Sequence, residues 1–362
     1  MVAWSPQQEL ALSKIKEWME AKGKLFCLFG YAGTGKTTLA KEIASYAQGK
    51  VLFGAYTGKA AQVLQSKGCE ASTIHSMIYR PIDPFATVPT FLFNHDSDVK
   101  RAKLIIIDEC SMIDEEMGKD LMSFGVPILV LGDPAQLPPI GGGGFFTDRE
   151  PDFILTEIHR QALDNPIIAM SIKIREGGNL LVGQYGESEV ALRRNITDAQ
   201  LMEADQVLCG TNATRANLNQ KMRALQGRKG VLEVGEKIIC LRNDYRADVF
   251  NGTTWIVKSV KMNETQLRLL DMEIEAIDEP DTKRKVSVLR EFFTGQKFEM
   301  TYDEKKFTQQ FTYGYAITVH KAQGSQYDNV LLFDESYCFK ESAKEWRYTG
   351  VTRAAKKVIV AI

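Results

Sequence analysis

The feature that most constrains this chain is the stretch Gly30–Ala44, GYAGTGKTTLAKEIA, which directly follows the apolar run Leu25-Phe26-Cys27-Leu28-Phe29. The pattern G-x-x-x-x-G-K-T is complete in Gly30, Gly35, Lys36 and Thr37. A strand, a glycine-rich turn and a helix start, in that order, make a phosphate cradle. Backbone N–H groups of Gly33, Thr34, Gly35, Lys36, Thr37 and Thr38 would line it at a helix N-terminus, where aligned peptide dipoles favour anions. Lys36 would reach the β- and γ-phosphates of a nucleoside triphosphate, and Thr37 would ligate Mg²⁺. Kinases, GTPases, transporters and motors all use such a cradle, so the rest of the chain must decide what the triphosphate is for.

The stretch LIIIDECSM supplies partner carboxylates. Four apolar residues bury a strand and leave Asp108 and Glu109 at its C-terminal end, the edge where ligands bind in parallel sheets. Asp108 would hold Mg²⁺ and Glu109 would polarise an attacking water. An Asp-Glu pair favours hydrolysis over transfer to a second substrate. In VLGDPAQLPPIGG a strand ends at Gly132-Asp133, and Gln136 follows in a proline-stiffened turn. A neutral amide there can sense a γ-phosphate through a hydrogen bond. Arg160 in LTEIHRQ and Arg353 in YTGVTRAAKKV are candidate arginine fingers, able to stabilise charge on the transferring phosphoryl from across a cleft.

The apolar runs 25–29, 51–55, 104–107 and 128–131 predict buried parallel strands, mostly separated by helical patterns. Ser5-Pro6 predicts a capped helix start. Residues 80–98 break the pattern with three prolines and an alternating Thr90-Phe91-Leu92-Phe93, which predicts an inserted hairpin or loop. A second block begins near residue 151. Within it, about 239–303 reads as a small β insert, with Asn251-Gly252 as a hairpin turn signal between strand-like runs. The expected architecture is α/β: one domain over 1–150 and a second over 151–362. The chain has 362 residues, enough for this.

A formal net charge of -1 excludes a globally basic nucleic-acid binder; any such partner needs a local basic groove. The six cysteines are scattered without a C-x-x-C pair, which predicts reduced, packed thiols in a cytosolic compartment. No segment reaches roughly 18 uninterrupted apolar residues, so no membrane span is expected. His95 has no partner at metal-ligand spacing and reads as an exposed loop residue.

Taken together, these motifs resemble those of superfamily 1 helicases, in the RecD-like (superfamily 1B) branch and its Dda-like members. The match runs nearly end to end: Gln8 in WSPQQELA (Q motif, adenine contact), GYAGTGKT (motif I), AYTGKAA (Ia), STIHSM (Ib), IIIDECSM (II), LGDPAQLPP (III), IHRQ (IV), ITVHKAQGSQ (V) and YTGVTRA (VI). The resemblance implies two RecA-like P-loop NTPase motor domains with ATP in the cleft and single-stranded DNA across their tops. It implies DNA contacts from Thr57, Lys59, Thr73 and His75 on the first domain, and from Asn212, Thr318, His320 and Lys321 on the second. Gln323 and Gly324 would report nucleotide state to the DNA side. The insert at about 81–98 resembles the family's pin, with Phe91 or Phe93 as stacking tip or as hairpin core. The 239–303 insert resembles an SH3-like module. One departure is Gln326, where motif V often carries Glu. The chain's two ends fall close to the first and last motifs, so a minimal, free-standing motor is expected.

The expected activity is a DNA-dependent ATPase and 5′–3′ helicase or translocase for replication, recombination or repair. Its partners would be single-stranded DNA, single-/double-strand junctions and replication or single-strand-binding proteins. It would work as a monomer in a bacterial or phage-infected host cytoplasm. Two other readings stay open: an RNA helicase, since the 2′-hydroxyl contact is not legible here, and an ATP-switched binding or loading module.

Overall fold

A computed structural model describes residues 4–83, 90–138, 144–158, 165–263 and 267–362. Helix α1 (Pro6–Glu20) starts as its sequence predicts. Ser5 caps it, Pro6 occupies its first turn, and Gln8 completes a reciprocal capping box. Then come β1 (Leu25–Gly30), α2 (Lys36–Tyr46), β2 (Val51–Ala55), α3 (Gly58–Ser66), β3 (Ala71–Thr73), α4 (Ile74–Ile78), the hairpin β4 (Tyr79–Asp83) and β5 (Thr90–Phe93), β6 (Leu104–Asp108), α5 (Glu115–Ser123), β7 (Ile128–Gly132) and β8 (Phe153–Leu155).

The first sheet has the order β3-β2-β6-β7-β1-β8 and is parallel throughout. Strand β8 pairs with β1, so this lobe runs past residue 150, where the sequence reading had divided the chain. Sheets covered on both faces need apolar residues at every strand position. Accordingly Leu104 and Ile106 join the core under α1 and α2, while Ile105 and Ile107 join the one under α4 and α5. Each such isoleucine contributes about 1.5–3 kcal/mol by burial.

The second lobe holds α6 (Pro166–Arg175), β9 (Gly183–Tyr185), β10 (Ser188–Ala191), β11 (Gln206–Cys209), α7 (Asn212–Leu225), β12 (Lys237–Cys240), β13 (Thr254–Met262), β14 (Leu269–Ala276), β15 (Lys283–Leu289), β16 (Phe311–Tyr313), β17 (Ala316–Thr318), β18 (Tyr327–Phe333), α8 (Ala343–Val351) and β19 (Ala354–Ala361). Its main sheet, β17-β11-β18-β19-β10-β9, is parallel except for the edge strand β9.

A third sheet, β15-β14-β13-β12-β16, is antiparallel and spans 237–313, wider at both ends than the predicted insert. Asn251-Gly252 precedes β13, with Gly252 at φ +92°, but the run before it is not a strand. Strand β13 pairs instead with β12, ten residues further back than a tight hairpin would require, and Gly252 N–H donates to Cys240 O. Trp255, Ile274 and Phe311 of this β module share one core with Val207, Leu331 and Ile359 of the main sheet, so module and lobe pack as one body. Among the described residues, no helix is long and apolar enough to cross a membrane.

Candidate nucleotide cleft and nucleic-acid face

The phosphate loop joins β1 to α2. Gly33 and Gly35 stand at φ +83° and +82°, a left-handed backbone that favours glycine and turns the intervening amides inward. Thr34 is buried and its hydroxyl donates to Tyr31 O at 2.9 Å. Lys36 Nζ donates to Gly30 O at 2.5 Å and to Tyr31 O at 3.1 Å, folded back over the loop. Gln8 is buried beside it; its amide donates to Thr34 O at 3.0 Å and accepts from Ser5 N–H at 3.0 Å. That amide therefore holds the loop to α1.

Strand β6 delivers Asp108 and Glu109 to the same edge. Thr37 Oγ1 donates to Asp108 Oδ2 at 3.2 Å, and Glu109 N–H donates to Asp108 Oδ1 at 2.9 Å. Dense packing and the neighbouring Glu109 carboxylate raise the Asp108 pKa, against the pull of Lys36. The Thr37 hydroxyl and Asp108 carboxylate form an all-oxygen pair. This fits Mg²⁺, which takes one or two protein oxygens and completes its shell with phosphate and water. Glu109 itself adopts φ +55°, a strained conformation for a non-glycine residue of the kind that clusters at working sites.

The opposite wall comes from the second lobe. Arg353, 5% exposed, is held by Thr349 O and Ser325 O, both at 3.1 Å, with Nη1 4.0 Å from Glu109 Oε1. Lys36, Thr37, Thr38, Asp108, Glu109, Asp133, Gln136, Gly324 and Arg353 line one cleft. The Oε1 of Gln136 is buried there without a hydrogen-bond partner among the described residues. Gly324 (φ +75°) packs so closely on α3 that an added Cβ would lie 3.0 Å from Thr57 Oγ1 and from Ala60 Cβ. Gln323 donates to Leu137 O at 3.1 Å. Arg160 lies outside the described residues.

Asp133, absent from the sequence-derived site, also lines the cleft. Asp133 is buried and accepts from Ala135 N–H at 3.0 Å and from Tyr348 O–H at 2.7 Å. Burial raises its pKa, opposed by Lys36. Arg175 of α6 lies over the Tyr31 ring at 3.8 Å. The signal for Tyr348 was a phenol amid a helix otherwise bound for the core, since a buried hydroxyl must find a partner.

The nucleic-acid face expected from the sequence is less open. Thr57 and Thr73 cap α3 and α4, accepting from Ala60 N–H at 3.1 Å and Ser76 N–H at 3.2 Å. Lys59 is buried in an ion pair with Asp278 of the β module. Lys321 donates to Asn251 Oδ1, and burial lowers its pKa. Thr318, His320 and Lys321 share a cavity with Tyr56 and Asp114 of the first lobe. His320 packs on Phe339 at 5.1 Å, and burial lowers its pKa. Asn212 is exposed at the first turn of α7.

His75 contacts Tyr56, Tyr79 and Phe91 at 5.8, 5.9 and 5.6 Å between ring centroids, and burial lowers its pKa as well. Phe91 and Phe93 both lie in the stem of the β4–β5 hairpin, opposite Pro81 and Tyr79. Phe93 anchors the stem on Phe124 at 4.8 Å, whereas Phe91 keeps 44% of its surface exposed. The hairpin turn, 84–89, is outside the described residues. His95 is exposed, as expected, and its ring meets Phe93 edge-on at 4.8 Å.

Residues 4–190 match the family described as AAA domain. This chain belongs to that family. Residues 313–361, in the second lobe, match the UvrD-like helicase C-terminal domain. The chain is 29% identical to the ATP-dependent RecD2 DNA helicase of Deinococcus radiodurans, over 93% of this chain and 47% of that protein. It thus spans about half of that relative's length. It is 27% identical to the ATP-dependent DNA helicase dda of Enterobacteria phage T4, over 96% of each. The Bacteroides Pif1 helicase with ADP-AlF3 and single-stranded DNA superposes with a TM-score of 0.61 at 17% identity, over 100% of this chain and 93% of that one. The α/β fold of two RecA-like lobes and the kinship with superfamily 1B helicases are thereby borne out.

Proposed function

We propose that this chain is an ATP-driven motor that moves 5′ to 3′ on single-stranded DNA and separates duplex ahead of it. One observation carries the reading. A phosphate loop and an Asp-Glu pair on one lobe face a buried arginine from the other across a single cleft. Such a cleft responds to ATP by closing, and closing moves one nucleic-acid-gripping lobe against the other. DNA rather than RNA follows from the names of the helicase relatives.

In this reading the loop amides and Lys36 bind the β- and γ-phosphates. Thr37 and Asp108 would hold Mg²⁺, which would supply positive charge to offset the charge that builds up on the phosphates. Glu109 accepts the proton of the attacking water, and Gln136 Oε1 accepts a second hydrogen bond that orients it. Arg353 stabilises the transferring phosphoryl, and Arg160 remains a second candidate on sequence grounds. Gln8 would meet adenine, while Gly324 links the cleft to Thr57 on the nucleic-acid face. That face would comprise Thr57, Lys59, Thr73, His75 and Phe91 on the first lobe and Asn212, Thr318, His320 and Lys321 on the second, with Phe93 as an anchor. Contacts to phosphate make binding sequence-tolerant and salt-sensitive. The six free thiols, five of them buried, fit a reducing, cytoplasmic setting.

The test is strand displacement on two partial duplexes, one with a 5′ tail and one with a 3′ tail, with and without ATP. Unwinding from the 5′ tail alone supports the reading. Unwinding from the 3′ tail alone reverses the direction, and DNA-stimulated hydrolysis without unwinding from either points to the ATP-switched module.

A further inference from the structure

Behind the cleft wall, one buried hydroxyl joins the two lobes without facing the phosphate site. Tyr348 sits on α8 of the second lobe and is 1% exposed. Both hydrogen bonds of its hydroxyl cross to the first lobe. It donates to Asp133 Oδ2 at 2.7 Å, at the end of β7, and accepts from Ala32 N–H at 3.0 Å, inside the phosphate loop. A single atom on one lobe thus ties together two separate segments of the other.

The neighbours on α8 extend this contact. Thr349 Oγ1 accepts from Leu137 N–H at 2.9 Å, next to Gln136. Arg353 follows just past the helix end and reaches towards Glu109. Tyr348 and Thr349 lie on α8, and Arg353, in the turn that follows, is tied back to it through Thr349 O, so a displacement of α8 carries all three. If α8 withdraws, Ala32 N–H and Asp133 Oδ2 lose their partner, and an unpaired group in a dry interface is costly. Burial and the nearby Asp133 carboxylate both raise the phenol pKa, so it stays a donor.

We propose that Tyr348 is the positioning residue that couples lobe closure to the shape of the phosphate loop. The loop takes its hydrolysing geometry only when the second lobe, and with it Arg353, is seated. This assignment rests on the motor reading above and adds its regulation. Tyr348 does not touch the reacting atoms. It acts through Ala32 and Asp133.

The experiment compares Tyr348→Phe with Trp346→Phe. The first keeps the ring and removes only the bridging hydroxyl. The second alters the core of the same helix, where Trp346 stacks on Phe339 and its indole nitrogen has no hydrogen-bond partner among the described residues. Amide hydrogen exchange over 30–38 is measured in both, together with Tm and with kcat and Kd for ATP at saturating single-stranded DNA. In Tyr348→Phe, exchange in 30–38 should rise and kcat should fall, each by about ten-fold, the worth of one such bond. The Kd for ATP should change by less than about three-fold, because binding to the open cleft does not use the bridge.

Trp346→Phe should lower Tm without raising exchange in the loop. Unchanged exchange in Tyr348→Phe, or exchange and Tm that move together in both variants, overturns the assignment. So does a Kd that weakens as much as kcat falls. Exchange is readable in any case, so a wild-type chain that hydrolyses no ATP would instead overturn the motor reading beneath it.

Discussion

The nucleotide cleft and the nucleic-acid face differ in how their polar groups are used. In the cleft, Lys36, Glu109, Gln136 and Arg353 surround open space and keep capacity for a ligand; Lys36 leans on carbonyls of its own loop, and Gln136 Oε1 has no partner among the described residues. On the face, Lys59 and Lys321 are already satisfied by Asp278 and Asn251 of the β module. The cleft is therefore set up to bind, whereas in the proposed motor the face would first have to exchange protein partners for phosphates. Affinity for the strand would then be a difference between two sets of contacts, with the β module setting one side of it.

The sharpest way to break this contrast is in the cleft. Lys36→Ala should abolish steady-state ATP turnover while single-strand binding survives in part; turnover near wild type would remove the loop from the chemistry. Arg353→Ala should lower kcat by about 10³-fold, the lower range for an arginine finger. A change below about ten-fold would leave it a purely structural guanidinium. Glu109→Gln should slow single-turnover hydrolysis by about 10²-fold with ATP still bound, as expected for loss of a positioned base. Rapid-quench measurement decides it, and a near-normal rate moves the base elsewhere.

On the face, the expected effects are smaller and one has the opposite sign. Asp278→Asn should release Lys59 and tighten single-strand binding by about three- to ten-fold at low salt, with the gain shrinking as salt screens the phosphates. Fluorescence anisotropy across a salt series checks this. Weaker or unchanged binding would mean that the pair holds the module rather than masking the lysine. Smallest is a pH effect. Burial lowers the pKa of His75 and His320 below the free value of 6.5, so the folded chain binds fewer protons than the unfolded one. Their contribution is complete above about pH 6.5 and is lost as pH falls towards the folded values. Tm should therefore drop between pH 7.5 and 5.5, and His75→Gln should flatten part of that slope.

The same division explains what the sequence made legible. Strand β2 falls on the expected residues, and β1, β6 and β7 each extend one residue further, because a doubly covered strand is an uninterrupted apolar run. The phosphate loop was legible because its chemistry is local: Gly30 to Thr37 form one turn. Tyr348 could not be paired with Ala32 from sequence, since 316 residues separate them. Asp278 and Lys59 lie 219 apart, and nothing near either one names the other. The lobe boundary was misplaced because the short β8 carries too few residues to show a period. The Asn251-Gly252 signal identified a real turn but not the strand that returns to pair with β13.

The contact at Gly324 has a mechanical consequence. At that point the bare backbone of Gly324 faces the Thr57 hydroxyl and the Ala60 methyl at the start of α3. A joint of this kind is an end-stop. In the proposed motor it would fix how far the jaws can shut, and so the length of the stroke, by the closeness with which a glycine lets them approach. A methyl group there would act as a shim, holding the jaws ajar by its own width, and each stroke would fall short by that amount.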